Sequence, residues 1–176
     1  MVDSSYSRRN YVEGFLSFYP SDYFFEKNYE NVVLPELLKG VVDLYKISDD
    51  IEINYPKEGE LHNINKAALT QVFMNLLSNS LKYNDKEQRK VDIRFREKKS
   101  FYHFEVEDNG NGIPPEKVEK AFELFTTLDV NDRHGNPGTG IGLATVKKHI
   151  ENMKGQIEVQ STPGVGSNFK FRIKRL

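Results

Sequence analysis

Four side chains in one short stretch can do chemistry together. In "QVFMNLLSNSLKYND", at about 100° per residue, Gln71, Asn75, Asn79 and Lys82 fall within an arc of about 80° on a helix. Leu69, Val72, Phe73, Leu76, Leu77 and Leu81 surround that stripe, so most of the helix seeks burial. A buried amide without a partner costs about 1–3 kcal/mol. One asparagine is ordinarily satisfied by neighbouring backbone or water, but two aligned with a lysine point to a ligand. Amide carbonyls are oxygen ligands suited to Mg²⁺, and lysine is a point charge for phosphate. The helix is expected to form a metal–phosphate wall.

Two glycine clusters follow. In "FEVEDNGNGIPPE" a strand runs into Asp108, Gly110 and Gly112. Asn-Gly is the strongest short hairpin signal, yet "IPPEKVEKAF" is not a returning strand. A carboxylate at a strand end, with glycines leaving a flat opening, suits a planar base bearing an exocyclic amine. The second cluster, "GNPGTGIGLATVKKHI", opens a helix, where backbone N–H groups and glycine make an anion site. Rival motifs fail. Ile141 and Gly142 stand where a Walker A loop needs Lys and Ser/Thr, Leu143 replaces the last glycine of a Rossmann fingerprint, and "DVNDRH" lacks the EF-hand glycine.

The elements that position these groups read as mixed α and β. "YENVVL", "IEINYP", "KVDIRFREK" and "FYHFEVED" are strands, the last two an antiparallel pair. Helices are expected from Pro35 through "PELLKGVVDLYKI", from Asn65 to Tyr83, over "PPEKVEKAFELF", and over "GIGLATVKKHIENMKG" with Gly155 as its stop. His62 falls in a polar turn. The chain closes on a hairpin around Pro163 and Gly164. Such an order predicts a two-layer α+β sandwich. Residues 1–29 read as an aromatic N-terminal extension, with Tyr11, Phe15, Phe18 and Tyr19 on one helical stripe, either the end of an upstream dimerisation helix, a docking face or a helix capping the domain, ahead of a domain over 30–176.

Composition excludes other classes. With 176 residues the chain has room for one domain and a real core, and 38% hydrophobic and 29% charged residues are ordinary for one. A net charge of −1 gives no basic field for nucleic acid. The absence of cysteine removes disulfides, thiol catalysis and cysteine-based zinc sites. No apolar run approaches the roughly 20 residues that span a bilayer, so the chain reads as soluble, or as a soluble piece of a membrane protein.

Taken in order, "NLLSNSLKY", "DNGNGI", "FELF", "GTGIGLA" and "GVGSNF" resemble the N box, first glycine box, F box, second glycine box and last box of the catalytic ATP-binding domain of bacterial two-component sensor histidine kinases. That domain belongs to the GHKL superfamily with type II topoisomerase, heat-shock chaperone and mismatch-repair ATPases. The resemblance runs from about Asn31 to Arg175. It implies the Bergerat fold, a mixed, mostly antiparallel five-stranded sheet packed on three helices, with ATP under a lid between the F box and the second glycine box.

By position, Asn75 resembles the Mg²⁺ ligand, and Asn79 and Lys82 resemble phosphate contacts. Asn75 and Lys82 are thus the expected catalytic pair. Tyr83 is similar to the residue flanking adenine, and Asp108 to the carboxylate that accepts from the adenine amine, with Gly110 and Gly112 shaping the base pocket. Gly138, Thr139, Gly140, Ile141, Gly142 and Leu143 resemble the lid hinge and phosphate loop. Phe122 and Phe125 fit packing and lid docking. Arg133 or His134, in the lid, is a candidate for the γ-phosphate. GHKL hydrolases carry a glutamate base four residues before the N-box asparagine; here that position is Gln71. An amide cannot take a proton from water, whereas neutral imidazole is already a nucleophile. Gln71 therefore favours the histidine kinase, leaving a GHKL-type ATPase or a nucleotide-binding regulatory module as alternatives. None of His62, His103, His134 and His149 has the setting of a phosphoacceptor. The resemblance implies an upstream phosphoacceptor histidine domain and a response regulator receiver domain as partners. It also implies a monomeric isolated domain and a cytoplasmic place within a kinase anchored in the inner membrane.

Overall fold

The computed structural model describes residues 29–45, 48–127 and 131–176. The aromatic stripe between Tyr11 and Tyr19 lies outside them. Strand β1 (Tyr29–Val33) leads directly into helix α1 (Leu34–Tyr45), followed by β2 (Ile51–Asn54), β3 (Glu60–Asn65) and α2 (Lys66–Lys82). The chain continues through β4 (Arg89–Lys98), β5 (Phe101–Asp108), the single turn α3 (Pro115–Val118), α4 (Gly142–Asn152), β6 (Gln156–Thr162) and β7 (Gly166–Lys174).

Five strands form one sheet in the order β2-β4-β5-β7-β6, and β1 and β3 make a small antiparallel pair beside it. Only β2 and β4 run parallel within the large sheet. A parallel neighbour needs a long crossover, and β3 with α2 provides it. Two residues, Lys99 and Ser100, turn β4 into β5. The result is the two-layer α+β sandwich the sequence predicts.

Alternation along the strands fixes which face is covered. Val91, Ile93, Tyr102, Phe104, Val106, Phe169, Phe171 and Ile173 are buried under the helices. Opposite residues of β5 and β7 stack Phe104 on Phe171 at 4.8 Å, and Phe73 of α2 meets Phe104 edge-on at 5.7 Å. Helix α1 buries Leu34, Leu37, Leu38, Val41 and Val42, the i, i+3, i+4, i+7, i+8 stripe of an amphipathic helix. Helix α2 packs between α1 and α4. Its first turn is capped by Asn65, whose side chain accepts from Ala68 N at 2.9 Å.

Three local expectations give way. His62 lies in β3, not in a turn. That strand hides from an alternation search because Asn63 has φ 53 and β1 carries a register shift opposite it. The helix expected over "PPEKVEKAFELF" stops after one turn, at Val118. Beyond it the chain must bury Ala121, set Phe122 edge-on against Phe169, and deliver Phe125 N–H to the Gly140 carbonyl at 2.9 Å. No straight helix does all three. At the end of α4 the left-handed residue is Lys154, φ 54, rather than Gly155. Lys154 N–H reaches Glu151 O and Gly155 N–H reaches Ile150 O, the two bonds of a Schellman stop. Gly155 is glycine for another reason: a Cβ there would fall on the Arg172 carbonyl oxygen.

Candidate functional site

One cleft gathers most of the predicted residues. Helix α2 and its cap contribute Asn75, Asn79, Lys82 and Tyr83, the end of β5 contributes Asp108, and the loop before it and start of α4 contribute Gly138, Thr139, Gly140, Gly142 and Leu143. Gly112 also borders it. Gly110 and Ile141 do not: Gly110 sits behind Asp108 against the Tyr83 carbonyl, and Ile141 is buried as the residue from which α4 starts. Gln71 lies outside the cleft walls.

At one end stands a prepared acceptor. Asp108 is the last residue of the central strand, opposite Ser167. Its Oδ1 accepts from Gly110 N at 2.9 Å and Ser167 N at 3.2 Å, and its Oδ2 accepts from Ser80 Oγ at 3.0 Å. A carboxylate offers about four acceptor positions, so one on Oδ2 remains for whatever enters. Burial pushes the Asp108 carboxyl above its ordinary pKa, against the pull of those three donors. The side chain therefore has one geometry and one remaining appetite, for a hydrogen-bond donor.

The other end offers amides and a helix start. Asn75 Nδ2 is buried with no hydrogen-bond partner. A Cβ built on Gly142 would stand 3.5 Å from Asn75 Oδ1 and 3.7 Å from Asn79 Nδ2, so both amides face the first residue of α4. No side chain caps that helix start, and its first-turn N–H groups are the ones a helix cannot satisfy internally. Lys82 is exposed at the rim. No cluster of three His, Asp or Glu able to hold a metal occurs among the described residues. A divalent cation here would depend on an amide oxygen together with ligand oxygens, and Asn75 Oδ1, turned toward the start of α4, is the oxygen that fits that role, while its Nδ2 is left for a ligand acceptor.

Between the two ends, the Tyr83 hydroxyl closes on Gly138, where a Cβ would come 2.5 Å from Oη. Burial, then the nearby Asp132 carboxylate, push that hydroxyl above its usual pKa. Arg133 and His134 lie outside the cleft. The Arg133 guanidinium stands 3.7 Å from Asp50, whose carboxyl is held low by the Ser48 hydroxyl and Arg89. His134 is exposed with its N–H on Asp132. Phe122 is partly buried, whereas Phe125 is 55% exposed with φ 61. No histidine borders the cleft: His62 is in β3, His103 in β5 and His149 buried in α4.

Sequence reading missed Ser78, Ser80, Ile113, Ala121, Thr126, Thr127 and Ser167, which also line the walls. Ser80 is one residue past Asn79 and Ser167 lies inside "GVGSNF", but neither spacing reveals a partner on another element.

Comparison with known proteins agrees with this geometry. The family of histidine kinase-, DNA gyrase B- and HSP90-like ATPases matches residues 64–176. The phytochrome-like protein Cph1 of Synechocystis is 42% identical over 105 residues, covering 60% of this chain and 14% of that protein. The aerobic respiration control sensor protein ArcB of Escherichia coli is 42% identical over 108 residues, again 60% of this chain and 14% of the relative. The chain thus spans about one seventh of the length of these relatives. The catalytic domain of the histidine kinase ThkA superposes with a TM-score of 0.68 at 25% identity, over 84% of this chain and 97% of that domain. The fold is that of a histidine kinase catalytic domain.

Proposed function

The chain belongs to the histidine kinase-, DNA gyrase B- and HSP90-like ATPase family, and from that premise we propose that it holds Mg-ATP in the cleft and transfers the γ-phosphoryl group to a histidine on a separate domain. One observation carries this reading: a half-buried acceptor at Asp108 faces, across the same cleft, the Asn75–Asn79–Lys82 stripe and the uncapped start of α4. Asp108 Oδ2 accepts from the 6-amino group of adenine. Asn79, Lys82 and the α4 N–H groups receive the phosphates. Asn75 supplies an amide oxygen to Mg²⁺. The metal, when bound, neutralises the β- and γ-phosphate oxygens and orients them.

The chain's own residues position and neutralise; they do not attack. Gln71 cannot act as a base for water. The cleft has no histidine of its own, so the acceptor imidazole comes from an upstream helical phosphoacceptor domain, which then passes the group to a response regulator receiver domain. On this reading residues 30–176 work in the cytoplasm as the catalytic part of a kinase anchored in the inner membrane, and residues 1–29 lead into them. Among the described residues no helix is long and apolar enough to cross a membrane.

The test uses labelled ATP. Incubated alone, the chain is expected to release negligible phosphate and remain unlabelled. With the upstream helical hairpin added in trans, an acid-labile, alkali-stable phosphoprotein forms on the hairpin, slowly, since effective molarity worth several kcal/mol is lost on severing the domains. Multiple-turnover phosphate release by the chain alone would assign it instead to the ATPases.

A further inference from the structure

Behind Asp108 lies a second polar chain, centred on Ser161 at the edge strand. Three groups meet its hydroxyl: Ile113 N–H donates to it at 2.7 Å, the Gly166 carbonyl lies 2.9 Å away, and Ser167 Oγ lies 2.8 Å away. A carbonyl only accepts, so the single Ser161 proton goes to Gly166. Both Ser161 lone pairs are then taken, one by Ile113 N–H and the other by the proton of Ser167. All three contacts of Ser161 are made at once only when Ser167 donates to it, and that gives the Ser161–Ser167 bond its direction.

The consequence appears on the far side of Ser167. With its proton committed to Ser161, Ser167 Oγ turns only lone pairs toward the cleft it borders. Asp108 stands beside it, tied to it by the Ser167 N–H bond of 3.2 Å, and likewise offers only acceptors. Two adjacent acceptors suit a group carrying two N–H donors and repel a carbonyl oxygen. Ser167 is 7% exposed, so water does little to blunt the mismatch.

We propose that Ser161 is a positioning residue that sets base specificity: by holding the Ser167 hydroxyl as an acceptor, it makes the cleft take the 6-amino group of adenine and refuse the 6-carbonyl of guanine. This rests on the nucleotide-binding reading above. Released from Ser161, the Ser167 hydroxyl would rotate and donate to a carbonyl oxygen, and selection would fall to Asp108 alone.

The experiment measures dissociation constants for ATP and GTP by calorimetry on wild type, S161A, S161T, S167A and S161A/S167A. Wild type binds ATP and prefers it. S161A lowers the ATP-over-GTP preference by about tenfold, the scale of one hydrogen bond gained by the wrong base, and S161T restores it. In the S167A background, adding S161A leaves the preference where S167A alone puts it. An unchanged preference in S161A, or a shift that persists without the Ser167 hydroxyl, overturns the inference; the latter would mean Ser161 acts through the Ile113 loop. If S161A melts below the assay temperature, S161C, whose thiol is a weak donor and acceptor, is held to the same outcomes. Failure of wild type to bind ATP overturns the nucleotide reading itself, a result visible before any variant is made.

Discussion

Gly112 and Gly142, one from each glycine cluster, share a residue type and have different reasons for it. Gly112, φ 72, lies where a Cβ would fall on the Thr162 carbonyl oxygen, so it is glycine because two backbones touch. At Gly142, in α4, a Cβ would meet only the Asn75 and Asn79 amides, at 3.5 to 3.9 Å, which is ordinary contact. The scaffold has room for a side chain there; a ligand seated between those amides and the helix start would not. Gly112 is thus demanded by the fold and Gly142 answers to the cleft, while Gly140, φ 67, shares the reason of Gly112, since a Cβ there would fall on the backbone of Phe125 and Thr126. A motif can record either kind of constraint.

Gly112→Ala is the strongest way to break that distinction. It adds left-handed strain to an overlap with backbone that cannot move aside, and roughly 3 kcal/mol of stability should be lost. A thermal midpoint unchanged within a degree would mean Gly112 is not structural. Asp108→Asn sharpens the other side of the comparison. The amide oxygen can keep the Gly110 and Ser167 bonds, while its nitrogen presents a donor to the donor of adenine. ATP binding should weaken by about a hundredfold, near 2.7 kcal/mol, with little change in the unliganded midpoint. An equal loss of stability would place Asp108 with Gly112, as scaffold.

Acidification asks how firmly α4 itself is held. Burial, with Lys148 nearby, lowers the His149 pKa from 6.5 to about 4. Between those values the unfolded chain binds a proton that the folded chain refuses, so stability is complete above pH 6.5 and falls toward pH 4. The loss by about pH 5 is about 2 kcal/mol. Chemical denaturation across that window should show it in wild type and not in His149→Gln; parallel curves for the two would remove His149 as the cause. Gly142→Ala is the mildest change. It should leave stability equal or slightly higher, since alanine favours helix, and weaken ATP by about tenfold through crowding of the phosphate end. A loss of stability without a loss of binding would erase the contrast between Gly112 and Gly142.

What the sequence makes legible is what repeats within one element. The Gln71–Asn75–Asn79–Lys82 stripe needs only the helical period, and Asp108 needs only the end of an alternating strand. Both glycine clusters stand out from local composition. Relations between elements are not legible in this way. Ser80 and Asp108 meet because α2 crosses the end of β5. Ser161 and Ser167 meet through the register of β6 on β7. Strand β3 escapes because one left-handed asparagine breaks its alternation, and the segment after α3 because its burial is decided by Phe169 and Gly140, far along the chain.

The long connection between Phe125 and Gly140 is closed at its base by the Phe125 N–H bond to the Gly140 carbonyl at 2.9 Å. It is also tied at its waist, where Arg133 N–H meets the Lys82 carbonyl at 3.0 Å and the Arg133 side chain faces Asp50. In polymer terms one wide ring becomes two narrow ones. Each half then has about 0.6 kcal/mol less closure entropy to lose than the undivided ring. Length inserted on one side of the knot adds slack to that side only. Two sequences differing in one half of this connection can therefore keep the other half, and the cleft wall it forms, unchanged.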